Sequence, residues 1–159
     1  MAKEERRIHV DNARCMACRA CEIACALRHS ESGELAQAIT ERPLAHSCVV
    51  VRSSKGKNSP VQCMQCARPK CVEVCAPGAL WKDEKTTLVV LDQSKCTGCG
   101  LCVEACPFDT IFVDEERGIA YKCDLCGGRP ACVPACPTEA RFFGTREEFR
   151  SREKVGSSK

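Results

Sequence analysis

Apolar residues along this chain come in short runs broken by charged turns. The clearest runs are HSCVVV (His46–Val51), TLVVL (Thr87–Leu91), TIFV (Thr110–Val113), GIAYK (Gly118–Lys122) and ARFF (Ala140–Phe143). Short apolar or alternating runs on either side of a polar turn predict β-hairpins. One hairpin is expected from Ala79–Lys82 and Thr87–Leu91 around Asp83–Lys85. A second is expected from Thr110–Val113 and Gly118–Lys122 around the turn DEER. SSKGKNSP (Ser53–Pro60) reads as a loop, and Ser32-Gly33 as a polar turn. Triplets such as Glu22–Ala24 and Val103–Ala105 fit single helical turns. The tail after Phe143, TREEFRSREKVGSSK, is polar and reads as partly helical with a frayed Gly/Ser end. The expected class is α+β, built of short hairpins and short helices.

Such runs bury little. The 159 residues include one Trp, one Tyr and five Phe but 17 Cys. A short chain with so few large apolar groups makes a thin core, so covalent or coordinate links are expected to hold it together. Disulfides would suit an exported chain. The start, MAKEERRIHVDNARC, has no apolar run of signal-peptide length, and no hydrophobic region follows Arg6-Arg7. The reading is a cytoplasmic protein with reduced thiols, in which clustered cysteines bind metal. No segment approaches the length of an apolar membrane span. The formal net charge of +3 counts every thiol as neutral, whereas a metal-bound cysteine is a thiolate. Lys and Arg are interleaved with Asp and Glu, so a mixed solvated surface is expected and not a nucleic-acid patch.

Sixteen of the 17 cysteines fall into four runs of four. They are Cys15, Cys18, Cys21 and Cys25; Cys63, Cys66, Cys71 and Cys75; Cys96, Cys99, Cys102 and Cys106; and Cys123, Cys126, Cys132 and Cys136. Three thiols spaced C-x₂-C-x₂-C can wrap three corners of a cubane iron–sulfur cluster, while the next Cys leads away to a neighbouring cluster. Zinc sites pair two C-x₂-C knuckles across a longer gap, which these contiguous quartets do not show. Pro107 and Pro137 directly follow a fourth cysteine and turn the chain outward. The first run has Ala26 there, and the second has Ala76 then Pro77. Runs two and four are stretched inside the motif by ARPK and GGRPA.

CMQCARPKCVEVCAPGAL, KCTGCGLCVEACPFDTI and KCDLCGGRPACVPACPTEA resemble the four-cluster ferredoxin-type electron-transfer subunits of molybdenum- or tungsten-pterin oxidoreductases, some hydrogenases and carbon monoxide dehydrogenases. The resemblance covers roughly residues 14–143. It implies two nested two-cluster ferredoxin-like units. One is an outer unit of residues 1–62 plus 107–159; the other is an inner unit of residues 63–106; residues 145–159 form a polar tail. It implies four [4Fe–4S] clusters, held by Cys96, Cys99, Cys102 and Cys75; by Cys63, Cys66, Cys71 and Cys106; by Cys15, Cys18, Cys21 and Cys136; and by Cys123, Cys126, Cys132 and Cys25. Spacing alone leaves tandem pairing open. The implied role is a non-catalytic electron relay between a catalytic subunit and a further redox subunit or soluble ferredoxin, closest in style to the small subunits of cytoplasmic tungsten aldehyde oxidoreductases and benzoyl-CoA reductase. A free polyferredoxin and a carbon monoxide dehydrogenase or hydrogenase partner are the alternatives.

Arg14, Arg19, Arg68, Lys70, Lys95, Lys122 and Arg129 lie within or beside the runs and are candidates to offset cluster charge. Cys48, outside the runs, reads as a buried strand cysteine. His9, His29 and His46 show no ligand spacing. Trp81 reads as a core residue.

Overall fold

The structure, a computed structural model, describes residues 5–156. The first four residues and the last of the Gly/Ser end lie outside them.

Eight strands form four two-stranded antiparallel sheets among the described residues. Strand β1 (Arg7–Val10) pairs with β8 (Arg141–Gly144), β2 (Val49–Ser54) with β3 (Lys57–Gln62), β4 (Leu80–Lys82) with β5 (Val89–Leu91), and β6 (Ile111–Asp114) with β7 (Ile119–Lys122). Five α-helices complete the fold: α1 (Ala20–His29), α2 (Leu35–Ala38), α3 (Lys70–Glu73), α4 (Leu101–Ala105) and α5 (Arg146–Gly156). The observed class is a small mixture of helix and strand. The hairpins expected at β4–β5 and β6–β7 form where the apolar runs predict them.

Two local expectations are corrected. Ser53–Pro60 is not a loop but most of the β2–β3 hairpin. Lys55 and Gly56 take φ of 48° and 76°, the left-handed pair that a two-residue hairpin turn requires. Around Glu22–Ala24 the helix is not a single turn, because α1 runs on to His29. Ala26 follows Cys25, and no proline stops the helix there.

The four runs share a backbone pattern. The residue before each second cysteine is left-handed: Ala17 (φ 56°), Gln65 (50°), Gly98 (67°) and Leu125 (56°). This turns the chain so that the flanking thiols face one side. In runs two, three and four the residue three after the last cysteine is again left-handed, at Gly78, Asp109 and Glu139. Its amide bonds back to that cysteine's carbonyl at 3.0, 3.2 and 3.1 Å.

The likeness extends to whole halves of the chain. Asp11 and Asp92 cap the short turns that lead into Cys15 and Cys96. Their amides bond to Ala140 and Ala79, both at 2.8 Å. Thus the β1–β8 pair stands to runs one and four as the β4–β5 hairpin stands to runs three and two. One core gathers Ile8, Cys21, Cys25, Cys48, Val49, Val51, Cys123, Leu125 and Cys132. The other gathers Leu80, Val89, Cys102, Ile111 and Ala120, with Cys71, Cys75, Cys96 and Cys106 packed against it. The β6–β7 hairpin joins them. Ile111 and Ala120 face the second core, while Phe112 and Tyr121 pack against the first.

Candidate iron–sulfur sites

All 17 cysteines are free thiols. Eight of the sixteen cysteines of the runs line two cavities in mixed sets. One cavity is lined by Cys75 together with Cys96, Cys99 and Cys102. A second is lined by Cys136 together with Cys15, Cys18 and Cys21. Thiols of the other runs act on each other's ionisation across run boundaries. Burial pushes Cys71 up to about 11, helped by Cys63, Cys106 and Cys66. Burial raises Cys132 too; Arg141 opposes this, and Cys25 and Cys126 add to it. Burial likewise pushes Cys123 up to about 12, with Cys63, Cys25 and Cys132 contributing.

This donor set suits a thiolate-bound cubane. Each of the two cavities holds four soft ligands, and the chain directs hydrogen-bond donors at sulfurs in all four runs, as such centres require. Leu80 N–H donates to Cys75 Sγ at 3.3 Å, Ala120 N–H to Cys96 Sγ at 3.2 Å and Cys48 N–H to Cys25 Sγ at 3.2 Å. The Thr110 hydroxyl lies 3.5 Å from Cys106 Sγ, and the Thr138 hydroxyl 3.7 Å from Cys136 Sγ.

Cys48 now has a place. It is 4% exposed and stands immediately before β2, as Thr110 stands before β6. Its thiol first, then His29 and the Cys48 amide, hold Cys25 well below the ordinary thiol range. His29 is therefore not a bystander: Nδ1 lies 2.8 Å from the Cys25 carbonyl and 3.9 Å from its sulfur, and Nε2 faces Asp124 at 3.4 Å. His46 instead bonds Asp114 at 3.1 Å, and His9 stacks on Phe149. Trp81 is not a core residue. It is 39% exposed on the outward face of β4, with Lys95 over its ring.

Of the seven basic residues singled out by nearness to the runs, only Lys122 is buried. Arg14, Arg19, Arg68, Lys70, Lys95 and Arg129 are exposed. Lys122 Nζ donates to the carbonyls of Val89 and Cys123, and its charge reaches Cys63 and Cys71. Sequence reading missed the more deeply buried Arg141, 1% exposed. Its signal lay in the repeat, since Arg141 and Leu80 are each the fifth residue after a fourth cysteine.

No helix among the described residues is long and apolar enough to cross a membrane. The chain is 35% identical over 155 residues to the thiosulfate reductase electron transfer subunit PhsB of Salmonella typhi, covering 92% of this chain and 79% of that one. It is 37% identical over 156 residues to an iron-sulfur protein of Rhodospirillum rubrum, covering 87% and 81%. It is 40% identical over 123 residues to the polyferredoxin-like subunit of an aliphatic sulfonate oxidoreductase of Pyrococcus furiosus, covering 77% and 66%. Residues 12–28 match a 4Fe-4S binding domain. With residues 54–146 matching the 4Fe-4S dicluster domain, the chain belongs to that iron–sulfur family.

Proposed function

We propose that this protein is the electron-transfer subunit of an oxidoreductase complex and holds four [4Fe–4S] clusters. The ligand sets are Cys15, Cys18, Cys21 and Cys136; Cys25, Cys123, Cys126 and Cys132; Cys63, Cys66, Cys71 and Cys106; and Cys75, Cys96, Cys99 and Cys102. The carrying observation is that each cavity named above joins three cysteines of one run to the last cysteine of another. The buried cysteines of one core come from runs one and four, beside Cys48, with Cys63 packed at its edge, and the cysteines of the other core come from runs two and three.

When bound, such clusters supply one-electron transfer without protons or group transfer. The chain's own residues bind, shield and tune them. Four thiols per cluster leave no position for substrate, so the chemistry belongs to a partner. Backbone amides and the hydroxyls of Thr110 and Thr138 point at sulfur and favour the more negative, reduced state. Exposed Cys18 and Cys99 bring two of the sites to the surface, where a partner can exchange electrons.

The partner we favour is a cytoplasmic tungsten- or molybdenum-pterin enzyme such as an aldehyde oxidoreductase, a setting in which thiols stay reduced. Support for a catalytic partner comes from relatives named as subunits of a thiosulfate reductase and of an aliphatic sulfonate oxidoreductase. Anoxic affinity purification from the native host, followed by metal analysis, tests the proposal. The expected result is a stable complex with tungsten or molybdenum beside iron. Nickel in their place would move the partner to a hydrogenase or carbon monoxide dehydrogenase, and a lone monomer would make the chain a free polyferredoxin.

A further inference from the structure

Arg141 is the most deeply buried cation among the described residues, and no carboxylate answers it. Its Nη2 donates to Gln62 Oε1 at 2.8 Å, its side chain also bonds the Cys132 thiol, and Nε and Nη1 find no oxygen acceptor. Gln62 is itself 2% exposed. A guanidinium removed from water without an anion is strongly disfavoured. The groups near it are thiols of two different sets. Arg141 lines the cavity of Cys15, Cys18, Cys21 and Cys136 and hydrogen-bonds Cys132 of the other set; burial raises the Cys21 and Cys132 thiols, and the Arg141 charge opposes that rise at both.

The other half of the chain provides the contrast. Leu80 occupies the corresponding position, 3% exposed. The cavity of Cys75, Cys96, Cys99 and Cys102 is lined by Leu80, Leu91, Val113, Ala120 and similar residues, with no charged side chain. One difference runs the other way: Ala120 donates its amide to Cys96, whereas Pro60, three residues before Cys63 as Ala120 is before Cys123, has no amide hydrogen to give. A single amide dipole is a weaker influence than a full charge at low dielectric.

We infer that Arg141 is a shared counter-charge for the two sites built from runs one and four, raising both their potentials above that of the site built on Cys75, Cys96, Cys99 and Cys102. Reduction adds one negative charge to a site. Arg141 stabilises that charge on its side, and the apolar lining around Leu80 does not. An electron given to the protein therefore settles first on the Arg141 side. Arg141 acts through the thiolates it faces and is a positioning and tuning residue. This inference rests on the four-site reading above.

The test uses the intact holoprotein under anoxia, with iron and sulfide per chain measured beside an EPR-monitored redox titration. Arg141→Met keeps the length and removes the charge, and Arg141→Lys keeps the charge. Gln62→Glu leaves the guanidinium in place but neutralises it through the existing hydrogen bond, so it decides the matter if Arg141→Met fails to hold iron. The expected result is that two components move down in both neutralising variants, by at least a tenfold change in the oxidised-to-reduced ratio, or 59 mV for a one-electron couple. The lowest component stays in place, and Arg141→Lys titrates like the wild type. Unmoved midpoints in a fully iron-loaded Gln62→Glu protein overturn the inference, as does an equal shift of every component. Wild-type protein with iron for fewer than four clusters overturns the four-site reading instead.

Discussion

The two ends of the molecule use one design with opposite interiors. At one end a hairpin, β4–β5, closes over Cys75, Cys96, Cys99 and Cys102, and Leu80 fills the space beneath it. At the other, β1 and β8 make the same pairing from distant parts of the chain, and Arg141 lies beneath. Backbone turns, amide bonds and cysteine placement are repeated, but the second cavity is lined by buried Arg141 and by exposed Arg19, which pairs with Glu22, where the first has no charged side chain. In an iron–sulfur protein the scaffold sets where the metal goes, while single buried residues set how readily each site takes an electron.

The largest perturbation removes what both ends share. Neither core has enough apolar surface to stand alone, so stripping iron with a chelator under anoxia is expected to abolish the cooperative melt and most of the far-UV signal. An apoprotein that melts like the holoprotein would mean that the cores, not the metal, hold the two ends.

The next test separates the ends by one glycine. Gly98 and Ala17 hold the same left-handed place in runs three and one. A Cβ on Gly98 would meet the Gly118 carbonyl oxygen at 2.5 Å. Gly98→Ala is therefore expected to cost about 2–4 kcal/mol, combining overpacking with a strained φ. Ala17→Gly should change stability by about 1 kcal/mol or less. Anoxic urea melts compare them, and equal costs would deny that the turns are differently enclosed.

A smaller effect compares Cys48 with its counterpart Thr110. Replacing Cys48 by alanine removes a donor to Cys25 worth about 1 kcal/mol and should lower one reduction midpoint. Cys48→Thr, which copies the other half, should restore it. If Cys48→Ala and Cys48→Thr titrate alike, the side chain at this place does not act on the thiolate.

The smallest concerns the β6–β7 turn between the cores. Asp114 accepts the amides of Glu116 and Arg117, both at 2.9 Å, and bonds His46. The Arg117 amide first, then His46 and the Glu116 amide, hold its carboxyl below the ordinary value of 3.8. A depressed carboxyl stabilises the fold above its unfolded-state value and loses that contribution as pH falls through the lowered one. Asp114→Asn should thus lower the melting temperature modestly at neutral pH, and the gap from wild type should close on acidification. A gap that widens would reverse the sign.

Much of this was legible in the sequence because it is local. The sixteen cysteines announce the ligand supply by spacing, and β4–β5 and β6–β7 are short-range hairpins with charged turns. The β2–β3 hairpin was not legible, because Ser53–Pro60 is polar and its turn uses Lys55-Gly56 in place of the usual Asn-Gly. The β1–β8 pairing was not legible either, since Arg7 and Gly144 meet across nearly the whole chain and neither strand carries a sign of the other. Arg141 was hidden for the same reason. Nearness in sequence to a cysteine run picked out surface residues, while the buried cation came from the strand that closes the fold.

That closure has a consequence for how the protein is made. The cavity of Cys75, Cys96, Cys99 and Cys102 draws on one short stretch and can be completed while the ribosome is still extending the chain. The cavity of Cys15, Cys18, Cys21 and Cys136 must wait for β8 to emerge and find β1, a long-range contact of the kind that forms slowly. Metal delivery should then follow translation, with the Leu80 side loaded first. The Arg141 side would stand open longest, and its early cysteines would be the ones exposed to oxygen before assembly ends.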